Sequence, residues 1–173
     1  MTLTQVGALV MLALADLEGE AWQMQTSILK TVGAFLVAVA VTYILGSIAS
    51  TQAILQNVIE LDVPVGWLDR IGATWHDLLG MAPTYLPIIA VGFLIAFLVT
   101  ALIVRFLPDL RRIGYVLAGT IAVLAVHLVL QALLDIHSLP VTRTLTGLLL
   151  QGAAGAVGGY VFVRITRQPG FSD

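Results

Sequence analysis

The chain has 173 residues, of which 59% are hydrophobic and 10% charged, with a formal net charge of -2. Soluble domains carry roughly a quarter charged residues, so a water-soluble fold of this length could not cover so much apolar mass. No basic patch exceeds Arg105, Arg111 and Arg112, which excludes nucleic acid as a partner. The absence of cysteine excludes disulfides, thiolate metal sites and cysteine-ligated iron–sulfur clusters.

Four stretches carry no Asp, Glu, Lys or Arg: residues 31–59, 78–104, 113–134 and 144–163. Each can cross a hydrocarbon core of about 30 Å as a helix. The run GFLIAFLVTALIV from Gly92 lacks the alternation of a barrel strand. The expected fold is all-α: one integral membrane domain over residues 1–173, with four transmembrane helices, an N-terminal interfacial helix and an outer amphipathic helix.

In chain order, Leu3, Val6, Val10, Ala13, Leu14 and Leu17 recur at helical spacing over a run too short to span. This predicts an interfacial helix over 3–21, with Trp22 at headgroup depth. No basic region precedes residues 6–15, and Asp16, Glu18 and Glu20 follow, so this is not the pattern of a secretory signal. The first span is expected over 31–51. Its helical pattern continues towards Glu60, because no Pro or Gly stops it after Gly46. Pro64 breaks the pattern and opens an amphipathic helix over 64–80. There Val65, Leu68, Ile71, Trp75, Leu78 and Leu79 share one face, with Asp69, Arg70, Thr74 and Asp77 elsewhere. The remaining spans are expected over 85–104, 113–134 and 144–163, joined by a tight turn at Pro108 and a joint containing Pro140.

Basic residues in the short joints set the orientation. With the N-terminus inside, the inner segments hold Lys30, Arg105, Arg111, Arg112, Arg164 and Arg167, and the outer ones hold only Arg70 and Arg143. The expectation is a cell (inner) membrane with both termini cytoplasmic. Tyr85 then falls near the outer aromatic belt, and Tyr115 and Tyr160 near the inner one.

His127 is the one ionisable group, tyrosine hydroxyls aside, well inside an expected span. Thr120, His127, Gln131 and Asp135 form a stripe on the third span. A polar group in hydrocarbon costs several kcal/mol unless partnered, so the stripe must face protein or a wet cavity. Gln151 on the fourth span lies at a similar depth, and Thr42 and Tyr43 lie near the middle of the first. A central cluster of His127, Gln151 and Tyr43 or Thr42 is geometrically possible, and its formation depends on how the helices are rotated. An imidazole changes charge in the physiological range and donates or accepts, which suits a proton- or cation-linked path or a polar anchor for a head group. The bland alternative is a neutral His acting as interhelical glue.

A bis-His haem needs two His facing each other in the membrane, and His76 and His137 lie outside the spans. Glu60, Asp62, His76, Asp77, Asp135 and His137 collect on the outer side without a compact metal-ligand spacing. The default there is a solvated surface. Asp135 and Arg143 could pair across their joint.

The fourth span carries Gly147, Gly152, Gly155 and Gly159, the last two forming a GxxxG, and Gly46 with Ser50 gives the first span a similar small face. Small residues let backbones approach closely in lipid. These faces suit contacts within one bundle or between protomers, with at least one expected between protomers.

No nucleophile–base pair, phosphate loop or paired-carboxylate site is present, so no cofactor is expected and the reading leans away from an enzyme without deciding it. The first functional expectation is a small oligomeric channel or transporter with a polar path lined by the third span. The alternative is an accessory or scaffold subunit of a larger membrane complex. The third is a quinone- or lipid-binding membrane protein. Expected partners are membrane lipids and either further copies of the chain or a membrane-complex partner.

Overall fold

The computed structural model describes residues 3–134 and 145–167, and the side chains of 24–132 and 146–167 within them. The described residues hold five α-helices and one 3-10 turn, with no strand among them. Four of the helices are long and apolar enough to cross a membrane. The chain is accordingly an integral membrane protein.

Helix α1, Leu3–Glu60, runs unbroken for 58 residues, about 87 Å at 1.5 Å per residue. Residues 3–21, expected as a separate interfacial helix, form the first part of α1. No proline interrupts this stretch, and Gly7 and Gly19 each weaken a helix without ending it. The expected first span, 31–51, lies inside α1, and the candidate crossing segment is Met24–Glu60. The helix closes in a turn in which Asp62 N–H donates to Ile59 O at 3.0 Å. Asp62 has φ 59, a left-handed conformation that its short polar side chain tolerates.

Helix α2, Trp67–Gly80, begins three residues after Pro64. Residues 63–66 are non-helical, and the helix opens where Gly66 N–H donates to Asp69 Oδ2 at 2.9 Å, one half of a capping box. Helix α3, Ala82–Val104, begins earlier than the expected 85. Pro83 fits its first turn, where no amide hydrogen is needed. A 3-10 turn, Pro108–Leu110, leads into α4, Arg111–Leu134. Helix α5 is Leu145–Ile165. The joint 135–144, with Asp135, His137 and Arg143, lies outside the described residues.

Successive spanning helices are neighbours: α3 packs on α4, α4 on α5, α5 on α1, and α1 on α3, which closes a ring. Glycine sets how tightly it closes. A Cβ on Gly155 would strike the Gly119 carbonyl of α4, and one on Gly159 would strike the Tyr115 carbonyl. A Cβ on Gly158 would meet Thr42 and Ala38 of α1. Without a solvent-driven hydrophobic force between helices in lipid, this close van der Waals contact is what holds them.

The two ends of the ring differ. At one, the arginine end, Lys30 Nζ donates to Arg167 O at 3.3 Å, and Arg111 Nη2 donates to Thr166 Oγ1 at 2.8 Å. Arg112 lies over the Tyr160 ring, 5.4 Å from its centroid. At the other, the α2 end, α2 lies against α1 and the start of α3. Arg70 Nη1 donates to Gln52 Oε1 at 2.7 Å, and Gln52 Nε2 donates to Thr74 Oγ1 at 3.2 Å. The polar face of α2 thus turns towards α1. Leu68, Ile71, Trp75 and Leu79 are exposed. This is the reverse of a helix docked on a soluble core, and suits an apolar face set towards lipid.

Candidate functional site

The buried polar side chains gather in the half of the bundle nearer α2. Ser47, Gln151, Thr42 and Thr51 are almost fully buried, and His127 and Ser50 nearly so; Thr100, also buried, stands apart towards the arginine end. Removing such groups from water costs several kcal/mol each unless they are partnered, so each partner carries information.

Gln151 of α5 reaches α1. Its Nε2 donates to Gly46 O at 2.9 Å and to Ser50 Oγ at 2.8 Å. The Gly46 carbonyl can only accept, which fixes the amide with its nitrogen towards α1. Gln151 Oε1 is left buried with no hydrogen-bond partner, as is Ser47 Oγ. Glycine at position 46 makes room for this arrangement: a Cβ there would come 2.8 Å from Gln151 Oε1 and the amide would have to shift.

His127 of α4 is held from both ring nitrogens. Nδ1 lies 2.8 Å from Val123 O, and since a carbonyl only accepts, Nδ1 carries the hydrogen. Nε2 of the neutral ring then accepts from the Tyr85 hydroxyl at 3.1 Å. The Tyr85 ring, from α3, lies between His127 at 5.8 Å and Tyr43 at 6.1 Å, centroid to centroid. Tyr43 donates to Leu78 O of α2. The Thr51 hydroxyl lies 2.8 Å from Asp77 Oδ2 of α2 and 3.0 Å from Ser47 O, and donates to one at a time. A series of three separate contacts therefore stands at this end of the bundle: Thr51 with Asp77, Tyr85 with His127, and Gln151 with Gly46 and Ser50.

Beyond this series the interior becomes aromatic. Phe93 and Phe97 of α3, Tyr115 of α4 and Phe162 of α5 pack with centroids 4.7 to 5.2 Å apart. Phe35 of α1 meets Phe97 edge-on at 6.2 Å. All four spanning helices contribute, and this cluster fills the bundle on the arginine side of the polar groups.

His127 and Gln151 come together around Tyr85 and Gly46, with Tyr43 one ring further. Thr42 stands apart, its hydroxyl donating to Ala154 O at 3.4 Å. Thr120 shares the α4 stripe by spacing but faces a notch between α4 and α5 beside Gly152, and donates to Val116 O at 3.1 Å. Gln131 is half-buried, and Asp135 lies outside the described residues. The stripe on α4 therefore reaches the cluster through His127, while α1 supplies most of it. Gly147 is buried, Gly152 meets Thr120 and Leu124 of α4, and Gly46, Gly155 and Gly159 all face neighbours within the same chain. Tyr85 and Tyr115 do not face the lipid boundary; both turn inward and are buried, whereas Tyr160 is exposed at 37%.

Sequence reasoning set Tyr85 at the aromatic belt and Asp77 on a solvated outer surface, and passed over Ser47 and Thr51. Tyr43, Ser47, Ser50 and Thr51 recur at helical spacing on α1, and that one-sided polar run was the available signal. Among the described residues no three His, Cys, Asp or Glu side chains gather as metal ligands. No protein-family model, curated protein or solved structure matches the chain.

Proposed function

We propose that the protein is a small membrane transporter for a small cation, protons included, which enters from the α2 end and is bound beside Gln151, Tyr85 and His127. The observation that carries this reading is the buried, unpartnered Gln151 Oε1. An oxygen acceptor left without a donor in an apolar bundle is costly, and a cation or a proton donor relieves that cost. Ser47 Oγ offers a second such oxygen. Asp62, Asp69 and Asp77 against Arg70 give the entry side an acidic balance that raises local cation concentration. The aromatic cluster supplies the opposite gate in the state described, and alternating access requires it to part.

The gathering of Lys30, Arg105, Arg111, Arg112, Arg164 and Arg167 at the arginine end supports a cytoplasmic placement of that end in a cell (inner) membrane. Reconstituted into proteoliposomes, the wild type is expected to pass protons or alkali cations under an imposed gradient, read by an entrapped indicator dye. Gln151→Leu is expected to reduce that flux at least tenfold. Flux equal to that of protein-free vesicles for protons, sodium and potassium contradicts the reading.

A second reading, an accessory subunit of a larger membrane complex, is supported by the exposed apolar face of α2, with Trp67 and Trp75 at 73% and 65% exposure. It predicts a second polypeptide that leaves when Trp75 is changed to Glu. The third reading, a quinone- or lipid-anchoring role for His127 and Gln151, has less support, because neither lines the lipid-facing groove between α3 and α4.

A further inference from the structure

Helices α3 and α4 enclose an open groove of about 890 Å³ on their outer side, away from the polar cluster. Its floor is made by small or buried side chains, among them Thr100, Ala118 and Ala122, and its rims by the exposed Val91, Ile95 and Ile121. It runs from Pro87 to Val104 along α3, about 25 Å and so deeper than one leaflet of a ~30 Å hydrocarbon core. Thr100 is the one lining residue with a polar side chain, and its hydroxyl already donates to Ala96 O at 2.8 Å. An apolar chain is therefore the chemistry that fits.

The arginine end of the groove decides what that chain is attached to. Val104 lines it, and the side chain of the next residue, Arg105, is exposed and makes no hydrogen bond or ion pair with any described residue. Its neighbours Arg111 and Arg112 are held by Thr166 and by the Tyr115 and Tyr160 rings, and their charge adds to the same field. Asp109 is the one carboxylate in that turn. A zwitterionic head group brings its own cation into this field, whereas an anionic one does not.

We infer that the α3–α4 groove is a binding site for one anionic phospholipid, with an acyl chain along the groove and the phosphate on Arg105. The site is independent of the proposed transport.

The test is native mass spectrometry of the full chain released from vesicles of equal parts phosphatidylglycerol and phosphatidylcholine, counting retained lipid by head group. The expected result is one retained phosphatidylglycerol per chain, with little phosphatidylcholine. Arg105→Gln should lower that occupancy about fivefold, the worth of roughly 1 kcal/mol per arginine at a membrane surface. Arg164→Gln, at the same end on α5, should leave it unchanged. Ala125→Phe, which fills the groove from its exposed side, should lower it whatever the head group. Equal retention of the two lipids overturns the inference. So does an equal loss in the Arg164 and Arg105 variants, which would mark diffuse surface attraction. Retention unaffected by Ala125→Phe also overturns it, by removing the chain from the groove.

Discussion

The two halves of the bundle are built by opposite means. Near the arginine end, glycines bring α4 and α5 backbones into contact, and Phe93, Phe97, Tyr115 and Phe162 fill what remains. Among the described residues, no fully buried side-chain nitrogen or oxygen there lacks a hydrogen-bond partner. Near the α2 end, Ser47, Ser50, Thr51, Tyr43, Tyr85, His127 and Gln151 replace that filling, and two oxygens lack partners. Packing in lipid is worth most where surfaces fit closely, and buried polar groups are retained there at a cost. The closely packed half therefore reads as the support, and the polar half as the place where function sits.

The largest expected effect breaks the support. Gly155→Leu places a side chain where the Gly119 carbonyl stands, and no rotamer escapes a backbone atom. It should cost about 3 kcal/mol or more, read as loss of folded protein in a detergent unfolding titration. Phe97→Ala comes next. The ring contacts Phe35, Phe93, Tyr115 and Phe162, and its removal should cost about 3 kcal/mol. The same variant should make proteoliposomes leaky to the transported cation, because the plug loses its central ring.

Changes in the polar half should be smaller in stability and larger in activity. His127→Ala removes one interhelical hydrogen bond, to Tyr85, worth about 0.6–2 kcal/mol in a membrane, and should abolish coupled flux. Gln151→Leu should shift stability by less than about 1 kcal/mol. It loses two donated bonds but also removes the orphaned oxygen, and replacing a poorly satisfied polar group by an apolar one of similar shape is close to neutral. A Gln151→Leu protein that unfolds as readily as Gly155→Leu would erase the contrast between the halves.

The four spans were legible because charge is confined to the joints, and α2 because its apolar residues keep to one face. His127 and Gln151 were legible as isolated polar residues in apolar runs. Their connection was not, since it depends on how each helix is rotated. Tyr85 sits where an aromatic belt belongs, and spacing alone does not say that it turns inward to His127. Asp77 sits on a helix whose charges look solvated, and its contact with Thr51 comes from α2 folding its polar side onto α1. The glycines of α5 announced close packing, but the sequence did not say against what, and the structure sets them against α4 and α1 of the same chain. The α1 helix continues back to Leu3 because the joint expected near Trp22 contains no residue that stops a helix.

The central claim is that water and solute reach the polar cluster from the α2 end while the aromatic cluster closes the other. The chain has no native cysteine, so one introduced thiol reports without background. Ser50→Cys differs from the native side chain by one atom, and a thiol reacts only as the thiolate, which needs water. In oriented vesicles, a membrane-impermeant methanethiosulfonate is expected to label this variant from the α2 side and not from the arginine side. No labelling from the α2 side, at the level of an Ala38→Cys control buried in the core, would make the cluster a dry structural contact and contradict the account.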